Sequence, residues 1–117
     1  QFFEKHSQYF SLPQELANCE TAWLAFPILI NDDAPFTRKQ FQIYLEMRDI
    51  QTRVVFTGNV LRQPMCNGVE KRVVSEGYPN ADRVMKQGVL LPLHHGLTEE
   101  MFDRFNSVVD EFIRLNT

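Results

Sequence analysis

Val89-Leu90-Leu91-Pro92-Leu93-His94-His95-Gly96-Leu97-Thr98-Glu99-Glu100-Met101-Phe102 changes its periodicity part-way, and that change sets the fold class. Residues 89–93 form a short apolar run of strand length. Thr98 is a helix-capping residue, and Glu99 and Glu100 put negative charge where a helix dipole favours it. From there Met101, Phe102, Phe105, Val108, Val109, Phe112 and Ile113 recur at helical spacing. The spacing predicts a long amphipathic helix whose stripe is core and carries no chemistry. A strand feeding a helix in this way is the unit from which the rest of the chain is read.

Working back from it, Asn80 caps a short helix that stops at Gly88. Residues 57–79 are irregular, with one short strand candidate at Lys71-Arg72-Val73-Val74, and a connection of that length is usually functional or flexible. Ile50 to Phe56 is a second strand candidate, and Trp23 to Ile30 another. Pro27 inside the latter argues for an edge or a bulge, because proline has no N–H for the ladder. Between them, Thr37 followed by Gln40 is a capping-box pattern opening a helix over residues 38–49, with Phe41, Tyr44 and Leu45 inward. Phe2, Phe3, His6 and Phe10 share one helical face, which suggests the end of a helix, and Pro13 follows in a turn. The order strand, helix, strand, long loop, helix, strand, helix predicts a small α/β or α+β sandwich, a short sheet with helices packed on it.

The 117 residues fit one domain, and 44% hydrophobic with 23% charged residues is the balance of an ordinary globular protein. A net charge of −3 gives no footprint for nucleic acid or an anionic membrane. No apolar run approaches the roughly 20 residues that span a bilayer. Cys19 and Cys66 lack ligand spacing, and a reduced, cytoplasmic protein is the simplest reading, with one disulfide left open. The start at Gln1 without a methionine or signal pattern reads as an excised segment.

Two places hold possible chemistry. In the first, Arg53 and Arg62 bracket Phe56-Thr57-Gly58-Asn59, where turn amides and two guanidinium forks suit a phosphate or carboxylate. Read by residue type alone, a surface turn with two solvated arginines is the plainer reading. In the second, His94 and His95 sit at a strand end before a helix, a common ligand-cleft position. Neighbours on extended backbone point to opposite faces, so the pair cannot readily chelate a metal; one packed and one exposed histidine is a reading equal to a site role. No nucleophile motif, phosphate loop or zinc-protease motif is present, and none of the four lysines has the context of an activated amine.

Several segments together resemble the C-terminal domain of the DegT/DnrJ/StrS family, the pyridoxal-phosphate-dependent sugar aminotransferases and their relatives. They are Ala25-Phe26-Pro27-Ile28, Phe36-Thr37-Arg38, Ile50-Gln51-Thr52-Arg53, Phe56 to Pro64 (Phe-Thr-Gly-Asn-Val-Leu-Arg-Gln-Pro), Tyr78 to Asp82 and Leu91 to Glu100. The resemblance covers residues 9–114 and is nearest to the nucleotide-sugar 3-dehydrases. One run departs: where dehydrases usually read Gly-Val-Tyr-Pro-Gly-Leu, this chain has Leu91-Pro92-Leu93-His94-His95-Gly96-Leu97, whose Pro-Leu-His element is closer to the sugar aminotransferases.

The resemblance implies the small domain of a type I aminotransferase fold over residues 21–117, with 1–20 a connecting segment from a larger domain. It implies a parent enzyme of deoxysugar and lipopolysaccharide biosynthesis acting on nucleotide-linked 4-keto-6-deoxyhexoses. Pyridoxal or pyridoxamine phosphate would be held mainly by the larger domain of a homodimer, with a possible iron–sulfur reductase as partner. Neither nucleic acid nor membrane is an expected partner. No catalytic or metal residue is expected within these residues. Arg53, Thr57, Asn59, Arg62, His94 and His95 are the candidate substrate contacts, Thr57 to Gln63 lining the substrate mouth. A free-standing ligand-binding domain is the alternative, favoured if Phe2, Phe3 and Phe10 pack within the domain itself.

Overall fold

The fold was read from a computed structural model, which describes residues 2–117. Four strands form one antiparallel sheet: β1 (Phe10–Ser11), β2 (Phe26–Ile30), β3 (Arg53–Val54) and β4 (Gly88–Leu91). Their order across the sheet is β1-β2-β4-β3. Three helices complete the domain: α1 (Arg38–Glu46), α2 (Pro79–Gln87) and α3 (Glu99–Asn116). This is the small α+β architecture expected from the order of elements, with one strand added at the front.

Ile28 lies opposite Val89 and Phe26 opposite Leu91, so these four side chains share one face. Ile28 and Val89 are fully buried there beneath Phe41 and Leu45 of α1 and Val109 and Phe112 of α3. The centre of the core is aromatic. Phe36 and Phe41 meet Phe112 edge-on at 4.8 and 5.3 Å between ring centroids, the arrangement ring quadrupoles favour.

Helix ends follow the capping chemistry in the sequence. Thr37 Oγ1 accepts from the Gln40 N–H while the Gln40 side chain accepts from the Thr37 N–H, a complete capping box. Thr98 Oγ1 accepts from the Met101 N–H. α1 stops at Glu46 rather than 49, because Asp49 turns left-handed (φ 58°) and the Ile50 N–H closes back on the Leu45 carbonyl. α2 begins with Pro79 at its first position, and Tyr78 rather than Asn80 precedes it without a side-chain cap.

Strands are shorter than the apolar runs that announce them. Continuing the β2–β4 register sets Ala25 against Pro92, and continuing β3–β4 sets Gln51 against Pro92 as well. Pro92 has no N–H to continue a ladder, and β2–β4 ends before it; β3 stops earlier, at Arg53, where the Thr52 N–H turns to Glu46 instead. Pro27 is tolerated because β1 pairs only with Leu29 and Ile30, leaving that side of β2 an edge. Residues 71–74 form no strand and are exposed.

The opening segment differs most from its expected form. Phe3–His6 is a single 3-10 turn, and Phe10 enters β1. Phe3 and Phe10 are buried in the common core, Phe2 packs against it, and His6 and Lys5 both reach Asp110 of α3. The aromatic start therefore completes this domain's own core. In α3, conversely, only Val109, Phe112 and Ile113 are buried, whereas Met101 and Phe102 are 52% and 43% exposed. The first turns of the helix run past the end of the sheet, and their apolar residues line a groove with Phe2, Trp23, Phe26 and Leu97.

Candidate functional site

The chain between Glu46 and Gln63 is anchored at both ends. Glu46 accepts from the Thr52 N–H and hydroxyl, which holds its carboxyl below the ordinary range and fixes the entry to β3. Arg53 then lies opposite Leu90, which on its other side lies opposite Pro27. These three residues face away from the aromatic core. They floor a recess of ≈ 650 Å³ whose walls include Trp23, Leu24, Phe56, Pro92 and His94.

After β3 the chain turns sharply. The Phe56 N–H bonds to the Val54 carbonyl and the Gly58 N–H to the Val55 carbonyl. Phe56 and Gly58 both take positive φ, 47° and 63°. A Cβ at Gly58 would stand 2.3 Å from Met85 Cβ and 2.4 Å from Met85 Cα, so only glycine lets the turn lie against α2. A short 3-10 turn over Val60–Arg62 follows, capped by Asn59, whose side-chain oxygen accepts from the Leu61 N–H.

Arg62 and Asn59 converge on α2. The Arg62 guanidinium forks onto Asp82, Nε to Oδ1 at 3.0 Å and Nη2 to Oδ2 at 2.9 Å, and Asn59 Nδ2 donates to the same Oδ1 at 2.8 Å. The Arg62 fork, with Asn59 behind it, draws the Asp82 carboxyl from 3.8 down to about 2. Asp82 in turn raises Arg62. Gln63 Nε2 closes the loop on the Thr57 carbonyl.

At the other edge of the recess, His94 Nδ1 accepts from the Gly96 N–H at 3.1 Å. That bond puts the proton of the neutral ring on Nε2 and leaves it as an outward donor.

The six candidates thus divide. Arg53 and His94 are brought together around one recess, and Arg53 makes no hydrogen bond or close ion pair among the described residues, its one charge interaction being a longer-range attraction to Glu46. Asn59, only 5% exposed, and Arg62 belong instead to the lock on α2. Thr57 is exposed and held through its backbone, and His95 lies outside the recess. Sequence reasoning gave no role to Asp82, Phe56 or Trp23. Asp82 sat inside the Tyr78 to Asp82 motif, but nothing local says that a carboxylate twenty residues on will receive Arg62.

All four lysines are exposed: Lys5 pairs with Asp110, Lys86 with Asp32, Lys71 meets the Cys66 carbonyl, and Lys39 lies on α1. An internal aldimine needs a lysine at the floor of a pocket. These residues do not fit a complete pyridoxal-phosphate site, and no step through the cofactor follows from them. Cys19 and Cys66 are both free thiols. Among the described residues, no helix is long and apolar enough to cross a membrane.

The profile of the DegT/DnrJ/EryC1/StrS aminotransferase family matches residues 3–111. The chain belongs to this family. It is similar to the lipopolysaccharide biosynthesis protein RfbH of Salmonella typhimurium, with 34% identity over 110 residues, 94% of this chain and 25% of that protein. It is also similar to a dTDP-4-dehydro-2,6-dideoxy-D-glucose 3-dehydratase of Saccharopolyspora spinosa, with 32% identity over 102 residues, 87% of this chain and 22% of that one. Among solved structures, a GDP-4-keto-6-deoxymannose-3-dehydratase mutant with bound GDP-perosamine superposes with TM-score 0.78 at 25% identity, covering 92% of this chain and 28% of the other. Another structure of that dehydratase, at 27% identity, 92% and 28% coverage and TM-score 0.75, holds a trapped PLP-glutamate geminal diamine. The chain therefore spans about a quarter of the length of the relatives it matches, and those relatives include pyridoxal-phosphate enzymes acting on nucleotide-linked sugars.

Proposed function

We propose that the chain is the C-terminal small domain of a nucleotide-sugar 3-dehydrase of deoxysugar and lipopolysaccharide biosynthesis, and that it supplies substrate contacts rather than the reacting group. The observation that carries this reading is the 32% identity to a sugar-nucleotide 3-dehydratase over 87% of the chain. The parent binds pyridoxal or pyridoxamine phosphate mainly through its larger part, works as a homodimer in the cytoplasm, and draws electrons from an iron–sulfur reductase. The isolated domain is inactive. Held by the parent's larger part, the cofactor would supply an electron sink, to which none of this chain's described residues contributes a reacting group.

What this chain contributes is positioning. Arg53 offers an unpaired guanidinium fork for a diphosphate, and His94 offers the Nε2 donor at the opposite wall. Arg62, Asn59 and Asp82 hold the Thr57–Gln63 loop in place beside that recess. A sugar aminotransferase of the same family is the second reading, favoured by the Pro92-Leu93-His94 run on the recess wall.

The deciding experiment is borohydride reduction of the full-length parent with pyridoxal phosphate, followed by intact mass. Cofactor bound without a reducible lysine linkage supports the dehydrase; a stable covalent adduct moves the assignment to the aminotransferase. Absence of any cofactor binding removes both. In the dehydrase, Arg53→Ala raises KM for the sugar nucleotide; an unchanged KM takes Arg53 out of the site.

A further inference from the structure

Phe56 is the one bulky residue among the described positions whose backbone turns left-handed, and its ring is 84% exposed. The other non-glycine with positive φ, Asp49, ends a helix, a role a short polar residue fills at little cost. Phe56 incurs that cost and recovers nothing by burial. Strain of this kind persists only where the surroundings impose it. Here they do so on both sides of the turn: a Cβ at Gly88 would meet Val55 at 2.7 Å, Gly58 lies on Met85, and Arg62 is forked onto Asp82. The turn is locked, and what the lock displays is an aromatic face at the rim of the recess that holds Arg53, His94 and Trp23.

We infer that Phe56 is a stacking platform for the base of a nucleoside diphosphate whose phosphates meet Arg53. This rests on the reading that the parent's substrate is nucleotide-linked, and it adds which residue receives the base. The recess wall pairs an apolar ring with an unpaired cation, which is the pairing a base joined to a diphosphate requires. A flat ring accepts any base by stacking, so Phe56 confers affinity for nucleotides while leaving the choice among bases to other residues.

Trp23 is the only tryptophan in the chain and lines the same recess, so its fluorescence reports on occupancy. The test titrates the 117-residue chain with UDP, GDP and dTDP, and separately with pyrophosphate, following Trp23 emission and the amide shifts of residues 53–58. Expected is saturable binding of the nucleotides that Phe56→Ala weakens roughly tenfold or more, that Phe56→Tyr retains, and that leaves pyrophosphate binding unchanged in both variants. Arg53→Gln weakens nucleotides and pyrophosphate alike. Nucleotide affinity unmoved by Phe56→Ala, or no perturbation of Trp23 and residues 53–58 by any nucleotide, overturns the proposal. So does a Phe56→Ala change that alters only self-association, which would make the ring a protein contact. The outcome separates from the cofactor experiment: a parent that reduces as a dehydrase while its KM ignores Phe56→Ala sinks this inference alone, and Phe56-dependent nucleotide binding in a parent that takes no cofactor sinks the dehydrase reading alone.

Discussion

Arg53 and Arg62 flank the same turn and look equivalent in the sequence, yet the fold puts them to opposite uses. Arg62 is spent on Asp82, with two hydrogen bonds and a buried asparagine behind them. Arg53 sits across from Leu90 at the recess and makes no fork, with only a longer-range attraction to Glu46. The difference teaches that a ligand-facing loop needs both kinds of arginine. One cation is committed to fixing the backbone through Asp82, and the other makes no such fork.

The comparison breaks most completely at Gly58. Alanine there adds a Cβ 2.4 Å from the Met85 backbone and strains a φ of 63°. Overpacking and the left-handed penalty together cost about 2–4 kcal/mol, to be read from urea denaturation. A smaller loss, with unchanged amide shifts at Phe56, would mean that α2 yields and the lock is soft.

Arg62→Met comes next. The domain stays folded, but amides of residues 57–63 lose hydrogen-exchange protection relative to the sheet, because Asn59 alone then ties the loop to Asp82. Unchanged protection would show that Gly58 packing suffices without the ion pair.

A third measurement is the Asp82 carboxyl shift against pH. Asp82 titrates near 2 rather than 3.8, so its native partners favour the charged form. Such a group stabilises the fold fully above its unfolded value, and the contribution disappears as pH falls from 3.8 to about 2. In Arg62→Met the titration moves back up toward the ordinary value. An unmoved midpoint would transfer the effect to Asn59.

The smallest effect belongs to Arg53. Arg53→Ala changes stability by less than about 0.5 kcal/mol in the same urea experiment, since only an exposed, longer-range attraction to Glu46 is lost. A cost above 1 kcal/mol would reveal a structural contact for Arg53 and dissolve the contrast with Arg62.

Local chemistry made much of the fold readable. Thr37 with Gln40, and Thr98 with its acidic first turn, announced helices whose caps form as written, because an N-cap satisfies amides within three residues of itself. The stripe in α3 gave the helix but not its burial. Met101 and Phe102 satisfy the same periodicity as Phe112 and Ile113, yet they lie beyond the sheet that would cover them. Similarly, Trp23 and Ile50 head runs apolar enough for strands, and the limits came from Pro92 beyond β4 and from Glu46, which takes the Thr52 N–H. Phe2, Phe3 and Phe10 had helical spacing, but Phe10 found a strand partner in Ile30 and left the helix.

By itself, then, the sequence determined the helices, the small α+β class and the family, since caps, periodicity and motif order are properties of neighbours along the chain. Tertiary structure alone decided where strands end, which apolar residues stay at the surface, and which arginine remains free. Those outcomes depend on what stands opposite in space: Pro92 against the end of β2, Met85 against Gly58, and Asp82 against Arg62. No spacing in the sequence encodes an opposite number that arrives through folding.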